Sequence, residues 1–311
     1  MPLSLRRGTV SAVVEQHEEL VRLEVDDVPC IPYPRVTGAV EVGDDVLVNV
    51  QARELELGSG GFDVLYANLT RGLELDAEPG AHVILLPYTP LQHARLHVEE
   101  QGEPAARLDG MPVVCCSLHS QVAPVCAALK GLRVAYVQLA GGALPLSLSD
   151  TLRTLKELGL LAVTVAVAPC FDGDAQCVTT TSALLWAGEE HDVAVCAIGP
   201  GIVGTGTRFG HGALAAVEAA NAASALGGRP IVAVRVSEAD ERDRHHGVSH
   251  HTAAVLSLAH DEPLVGGTTA DGWREACAGL PLSHMGRDPD EDPVFFEAAF
   301  AAGVLARSLV A

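Results

Sequence analysis

The sequence predicts an α/β protein in two parts: an N-terminal all-β, barrel-like domain over residues 1–108, then an open, mostly parallel, doubly wound domain of Rossmann-like layout over 109–311. Three observations predict it. The first hundred or so residues carry short alternating apolar segments with turn signals between them and no long helical period. Beyond Gly110 the apolar segments become continuous runs, as strands buried on both faces require, and they alternate with helical stretches. The loops that follow these runs collect glycine, histidine and aspartate, which places the unusual chemistry at one edge of the sheet.

In the first part, residues 8–15, 19–25 and 44–50 alternate well enough to be strands, and 62–67, 81–86 and 94–98 are expected to complete a small barrel of SH3 or OB type. Asp26-Asp27, Gly43-Asp44 and Glu78-Pro79-Gly80 are the turns. Its expected role is packing or oligomerisation. Residues 101–110 form a polar linker containing Pro104.

In the second part the strands are 112–116, 132–139, 161–168, 193–198 and 230–236. Ser149 caps a helix whose Leu152, Leu155 and Leu158 share a face and which Gly159 ends. An alanine-rich helix covers 213–226 and stops at Gly227-Gly228. Ser249 is a second N-cap, for a helix running to about Ala259. Phe295, Phe296, Ala299, Phe300 and Val304 recur at helical spacing in a last helix that docks on the core.

Forty acidic against twenty basic residues give a formal charge of −20. That balance argues against nucleic acid and against an anionic membrane surface, since both reward clustered Lys and Arg. No segment is long enough to span a bilayer and no secretory signal opens the chain. The eight cysteines lie mostly in or beside predicted buried strands and form no C-x-x-C pair, which reads as reduced thiols in a cytoplasmic protein. There is no Walker A lysine and no G-x-S-x-G elbow.

Two stretches carry chemistry. After the 193–198 strand comes a glycine loop in which Gly199, Gly201, Gly204 and Gly206 let backbone N–H groups converge on an anion, Thr205 and Thr207 add hydroxyls, and Arg208 adds charge. It satisfies G-x-G-x-x-G, yet eight residues separate the fingerprint from helical composition, and Glu238 and Asp240 fall late for a ribose-binding acid. The second stretch is His245-His246-Gly247-Val248-Ser249-His250-His251. The helix N-terminus favours neutral His250 and His251, the form a metal or a general base needs. His245, His250, His251 and Asp172 are the expected ligands of a divalent metal, with Asp174 as the alternative acid, and His119, His250 and His251 the expected catalytic groups.

The runs Pro87-Tyr88-Thr89-Pro90-Leu91-Gln92, Leu118-His119-Ser120, the loop from Ala197 through Gly210, Gly247-Val248-Ser249-His250-His251-Thr252 and Met285-Gly286-Arg287 span nearly the whole chain. In them the sequence resembles a bacterial family of unknown function. The resemblance brings no known reaction. It implies other residue types at 211 and 246, so it directs attention away from His211 and His246 and toward His119, His245, His250, His251 and Arg208. Together these readings predict an enzyme that binds a small phosphorylated or carboxylated metabolite at the sheet edge, of the metal-assisted hydrolase or transferase kind. A non-catalytic ligand sensor or homo-oligomeric scaffold, and a dinucleotide-binding oxidoreductase, are the alternatives.

Overall fold

The computed structural model describes residues 3–57, 61–71 and 75–310, and the chain divides into two compact units, Met1–Ala94 and Arg95–Ala311. The first unit is a closed five-stranded barrel of β1 (Leu5–Gln16), β2 (Val21–Val25), β3 (Val28–Ile31), β4 (Asp45–Asn49) and β5 (Asp63–Asn68), in the order β1-β2-β3-β5-β4. Single helical turns, α1 (Pro34–Thr37) and α2 (Gln51–Glu54), fill the connections after β3 and β4. Alternation supplies the interior: Val10, Leu23, Val25, Cys30, Val46, Val48 and Leu65 point inward. Closure comes from a parallel pairing of β3 with β5. The expected barrel strands near 81–86 and 94–98 are instead β6 (Val83–Leu85) and β7 (His93–Arg95), a separate two-stranded sheet. The member actually used, β3, holds Pro29, a residue that argues against a strand except at a position whose N–H is not needed.

The second unit is built on a seven-stranded sheet in which every pairing is parallel. Its strands are β8 (Pro112–Cys115), β9 (Val134–Leu139), β10 (Val163–Val167), β11 (Ala175–Cys177), β12 (Val193–Ile198), β13 (Arg229–Val232) and β16 (Leu264–Val265), ordered β11-β10-β9-β12-β8-β13-β16. Between β13 and β16 a short antiparallel pair, β14 (Val236–Ser237) with β15 (Gly247–Val248), makes an excursion. Both faces of the central strands are covered, which is why they read as unbroken apolar runs. On β12, Val195 and Ala197 join one core while Ala194 and Cys196 join the other. The first core is roofed by α3 (Val122–Ala128), α4 (Asp150–Glu157) and α9 (Pro293–Ser308); the second by α5 (Thr180–Glu190) and α6 (Ala215–Ala225). Val255 of α7 (His250–Leu258) lies in the second core, and the single turn α8 (Trp273–Ala276) packs Trp273 with Phe295 and Phe296.

This layout fixes where a site can form. β12 sits between β8 and β9, yet the helices that follow those neighbours lie on one face of the sheet and the helix that follows β12 lies on the other. Outgoing loops therefore part at the carboxyl end of β12, the place where open α/β sheets take their ligands. The loop leaving β12 is the glycine loop, and the segment leaving β13 on the far side of β8 is the one that carries the histidines. No described helix is long and apolar enough to cross a membrane.

Candidate metal centre

Three imidazoles meet at this edge. Among the described residues, His211, His250 and His251 form the group suited to a metal ion, with one ring nitrogen from each lying within 4.8 Å of the others. His245 completes a cluster of four rings: its centroid is 4.8 Å from that of His250 and 4.9 Å from that of His251, while His211 stacks on His251 at 3.9 Å.

Two segments deliver them. His211 closes the glycine loop, which folds on itself like a small hairpin: Thr205 N–H donates to Gly210 C=O (2.7 Å), Gly204 bridges His211, and Gly212 N–H donates to Val203 C=O (2.8 Å). The loop's base is wedged against the β9 loop. A Cβ on Gly199 would lie 2.1 Å from the Ala143 carbonyl oxygen, and one on Gly212 would lie 2.0 Å from that of Gly141. These glycines are needed for backbone to cross backbone. Further out, the Thr205 hydroxyl is hydrogen-bonded to that of Thr207 and to the Gly210 carbonyl, and Arg208 lies exposed over the Phe209 ring. Gly201, Gly204 and Gly206 are also exposed, and helix α6 begins only at Ala215, so the G-x-G-x-x-G run opens no helix.

The other segment leaves β13. The chain passes Arg235, turns through Asp240–Arg242, returns along β15 and enters α7, where Ser249 accepts a hydrogen bond from the His251 N–H (3.2 Å) as the N-cap. Ser249 Oγ also lies 2.8 Å from His245 Nδ1, tying the fourth ring to the cap.

All four rings are held neutral. Burial, then the Arg235 charge, pushes His251 down to about 2 and His245 to about 3; burial lowers His211 and, with the neighbouring His211, lowers His250. Hydrogen bonds then set the tautomers of His211 and His251. His211 Nε2 lies 2.9 Å from the Arg208 carbonyl, an acceptor only, so the proton sits on Nε2 and Nδ1 keeps its lone pair. That Nδ1 is buried without a partner, and so is His250 Nε2. A carbonyl behind an imidazole whose other nitrogen has no protein partner is the outer-shell arrangement of metal-binding histidines. His251 differs. Its Nδ1 lies 2.8 Å from Arg235 Nη1, and because arginine only donates, Nδ1 accepts and the proton sits on Nε2. By either nitrogen, then, His251 can enter a coordination shell only when that guanidinium turns away.

Of the residues singled out from sequence, the structure brings His245, His250 and His251 together and leaves His119 and Asp172 outside the metal-type group. His119 is a buried tie between β8, β12 and α4: Nδ1 lies 3.3 Å from the Ile198 carbonyl and Nε2 2.7 Å from Ser149 Oγ. Asp172, with φ 66°, accepts from the Ser147 hydroxyl (2.7 Å), and Asp174 pairs with Lys156 and Thr164. His246 is exposed. His211, set aside by the resemblance, belongs to the cluster, because the hairpin closure of its loop returns residue 211 to the sheet edge.

A family described as "Protein of unknown function (DUF3866)" matches residues 30–267, well over half of the chain. The chain belongs to this family. No curated protein matches it. The DUF3866 match includes all four clustered histidines and Arg235, and it stops short of His284 and Arg287, which also reach this edge of the sheet. These last two and Arg235 are polar groups that the sequence reading passed over. Arg235 had a signal: it is the one charged residue inside the apolar run 230–236.

Proposed function

We propose that the α/β unit is a metal-dependent enzyme acting on a small anionic metabolite, with His211, His250 and His251 holding a divalent transition metal and His245 lying beside it. The observation that carries this reading is the pair of buried, unpartnered ring nitrogens, His211 Nδ1 and His250 Nε2, in a cluster of imidazoles kept neutral. An all-imidazole set suits zinc, iron, nickel or copper over magnesium or calcium, which take oxygen. Such a metal would lower the pKa of a bound water or polarise a phosphoryl or carbonyl oxygen, which supports hydrolysis or group transfer.

The protein's own part is to fix the rings, through the Arg208 carbonyl and the Ser249 cap, and to place positive charge next to them. The glycine loop serves by carrying His211. Elemental analysis of the purified protein tests the reading: a stoichiometric transition metal is expected, lost in His211→Ala/His250→Ala and retained in Asp172→Asn. A protein that takes up no zinc, nickel or iron in a competitive titration refutes it.

A further inference from the structure

Below the histidines lies a second cluster. Arg235, Arg242 and Arg287 converge on one oxygen, Asp240 Oδ2, at 3.8, 2.6 and 3.6 Å. In a protein of formal charge −20 this is a local concentration of guanidinium. The carboxylates are spent. Asp240 is bound through both oxygens by Arg242, at 2.8 and 2.6 Å. Asp292 accepts from the Ser237 hydroxyl (2.5 Å) and from Arg287 Nε (3.3 Å). Arg235 is left over. Its side chain is 3% exposed, the distance to Asp240 is too long for a hydrogen bond, and the acceptor its side chain reaches is the neutral His251.

A buried guanidinium without a bonded anion is costly. The unmet donors around it share that feature: Arg235 Nε and Arg287 Nη2 are buried with no acceptor within hydrogen-bond distance, and so is Nε2 of His284, itself 2% exposed. His284 is set by two contacts. It stacks flat on Phe295 at 3.7 Å, and its Nδ1 lies 3.3 Å from the Ser120 hydroxyl, which can donate to it and leave the proton on Nε2.

We infer that Arg235, Arg287 and His284 form the seat of an oxyanion, the phosphate or carboxylate of the substrate, at the carboxyl ends of β8 and β13. The anion accepts from the donors that the protein leaves unmatched and supplies the charge that Arg235 lacks. It also has a consequence for the histidines, and this part rests on the metal reading above. An oxyanion that takes the Arg235 donors draws the guanidinium off His251 Nδ1 and frees that ring to bind metal. Anion and metal then bind with positive coupling, and by linkage each tightens the other equally.

The test is calorimetric titration of inorganic phosphate, and in parallel of acetate, into the full-length protein with metals removed by chelator. Saturable binding of one of the two at millimolar concentration or below is expected, and the one that binds tells a phosphoryl from a carboxylate substrate. Arg287→Gln is expected to weaken it by about tenfold or more, the loss of one charge-assisted hydrogen bond. Arg107→Gln, an exposed arginine beside Gly227 at the amino end of β13, leaves it unchanged. Should Arg287→Gln not fold, Arg287→Lys keeps the charge and loses the fork, and the same weakening is expected. Absence of saturable binding of either anion overturns the seat, as does binding that survives Arg287 substitution. Zinc affinity is then measured with and without the anion, and tightening of at least about fivefold is expected. Anion binding without any zinc binding would sink the metal reading while leaving the seat standing; zinc binding without anion binding would do the reverse.

Discussion

Acidification should destabilise this fold through His119, and the amount can be worked out from its contacts. The ring is buried between β8, β12 and α4, with Nδ1–H facing the Ile198 carbonyl and Nε2 accepting from the Ser149 hydroxyl, which in turn caps α4 by accepting from Leu152 N–H (3.1 Å). Protonation would put an unpaired charge into this buried position and turn the Ser149 hydroxyl proton away from Nε2. Burial pushes the ring down to about 4, whereas the unfolded chain titrates near about 6.5. The sign follows from that order. The contribution is fully present above about 6.5, falls as the unfolded state gains a proton that the native state refuses, and levels off below about 4. Between about pH 7.5 and about pH 5.5 the unfolded chain takes up nearly one proton at this site and the native ring almost none, a loss of about 1.3 kcal/mol. Urea unfolding of wild type and His119→Gln at both pH values, in chelator, isolates it, because the other histidines contribute equally to both proteins. The variant should be less stable throughout and should lose about 1.3 kcal/mol less over the interval. Equal losses in the two proteins would show that His119 is not the neutral, buried tie described above.

Three further outcomes follow from the same geometry. Arg235→Met removes a buried charge that no bonded carboxylate matches, so the variant should be as stable as the wild type or more stable, by up to about 4 kcal/mol, while anion binding is lost; a melting point lowered by several degrees would make Arg235 a structural residue. Gly199→Ala drives a Cβ to 2.1 Å from a carbonyl oxygen and should cost about 3 kcal/mol or more in chemical denaturation, whereas Gly206→Ala, whose nearest neighbour is the Arg244 side chain at 3.7 Å, should be tolerated in the same measurement. All eight cysteines are free and buried, with Cys115, Cys126 and Cys170 pushed up to about 12, so the native protein should show no fast-reacting thiol toward a disulfide reagent at mildly alkaline pH; a rapidly modified cysteine would contradict the described packing.

Much of the fold was legible because burial on two faces leaves a mark in the chain. β8, β9, β10, β12 and β13 are the inner strands and appear as apolar runs; β11 and β16, three and two residues long at the edges, do not. In the barrel the alternating strands β1, β2, β4 and β5 were legible, and the parallel closure through β3 was not, since a parallel pairing between distant segments leaves no local signal. The site was half legible for a similar reason. Ser249 announces the helix that carries His250 and His251, a local fact. That His211 joins them depends on how a loop returns to its base, and that His284 and Arg287 join Arg235 depends on how the segment before α9 lies over the ends of β8 and β13.

Arg235 was the readable exception. A run of branched apolar residues between a glycine pair and a polar turn specifies burial, and burial does not tolerate a guanidinium unless something completes its solvation. The protein places three arginines and two carboxylates together and ties the carboxylates to Arg242, Arg287 and Ser237, which leaves Arg235 to an anion from outside the chain. The same guanidinium holds the lone pair of His251, the ring that would complete a metal site. One side chain thus links the proposed anion seat to the proposed metal site, and binding at either should change the other. The glycine loop, which looks from sequence like the place for an anion, has its hydroxyls satisfied by itself and its inner glycines used up in crossing the β9 loop. A strong motif can be accounted for by packing alone, while a single arginine in an apolar strand cannot.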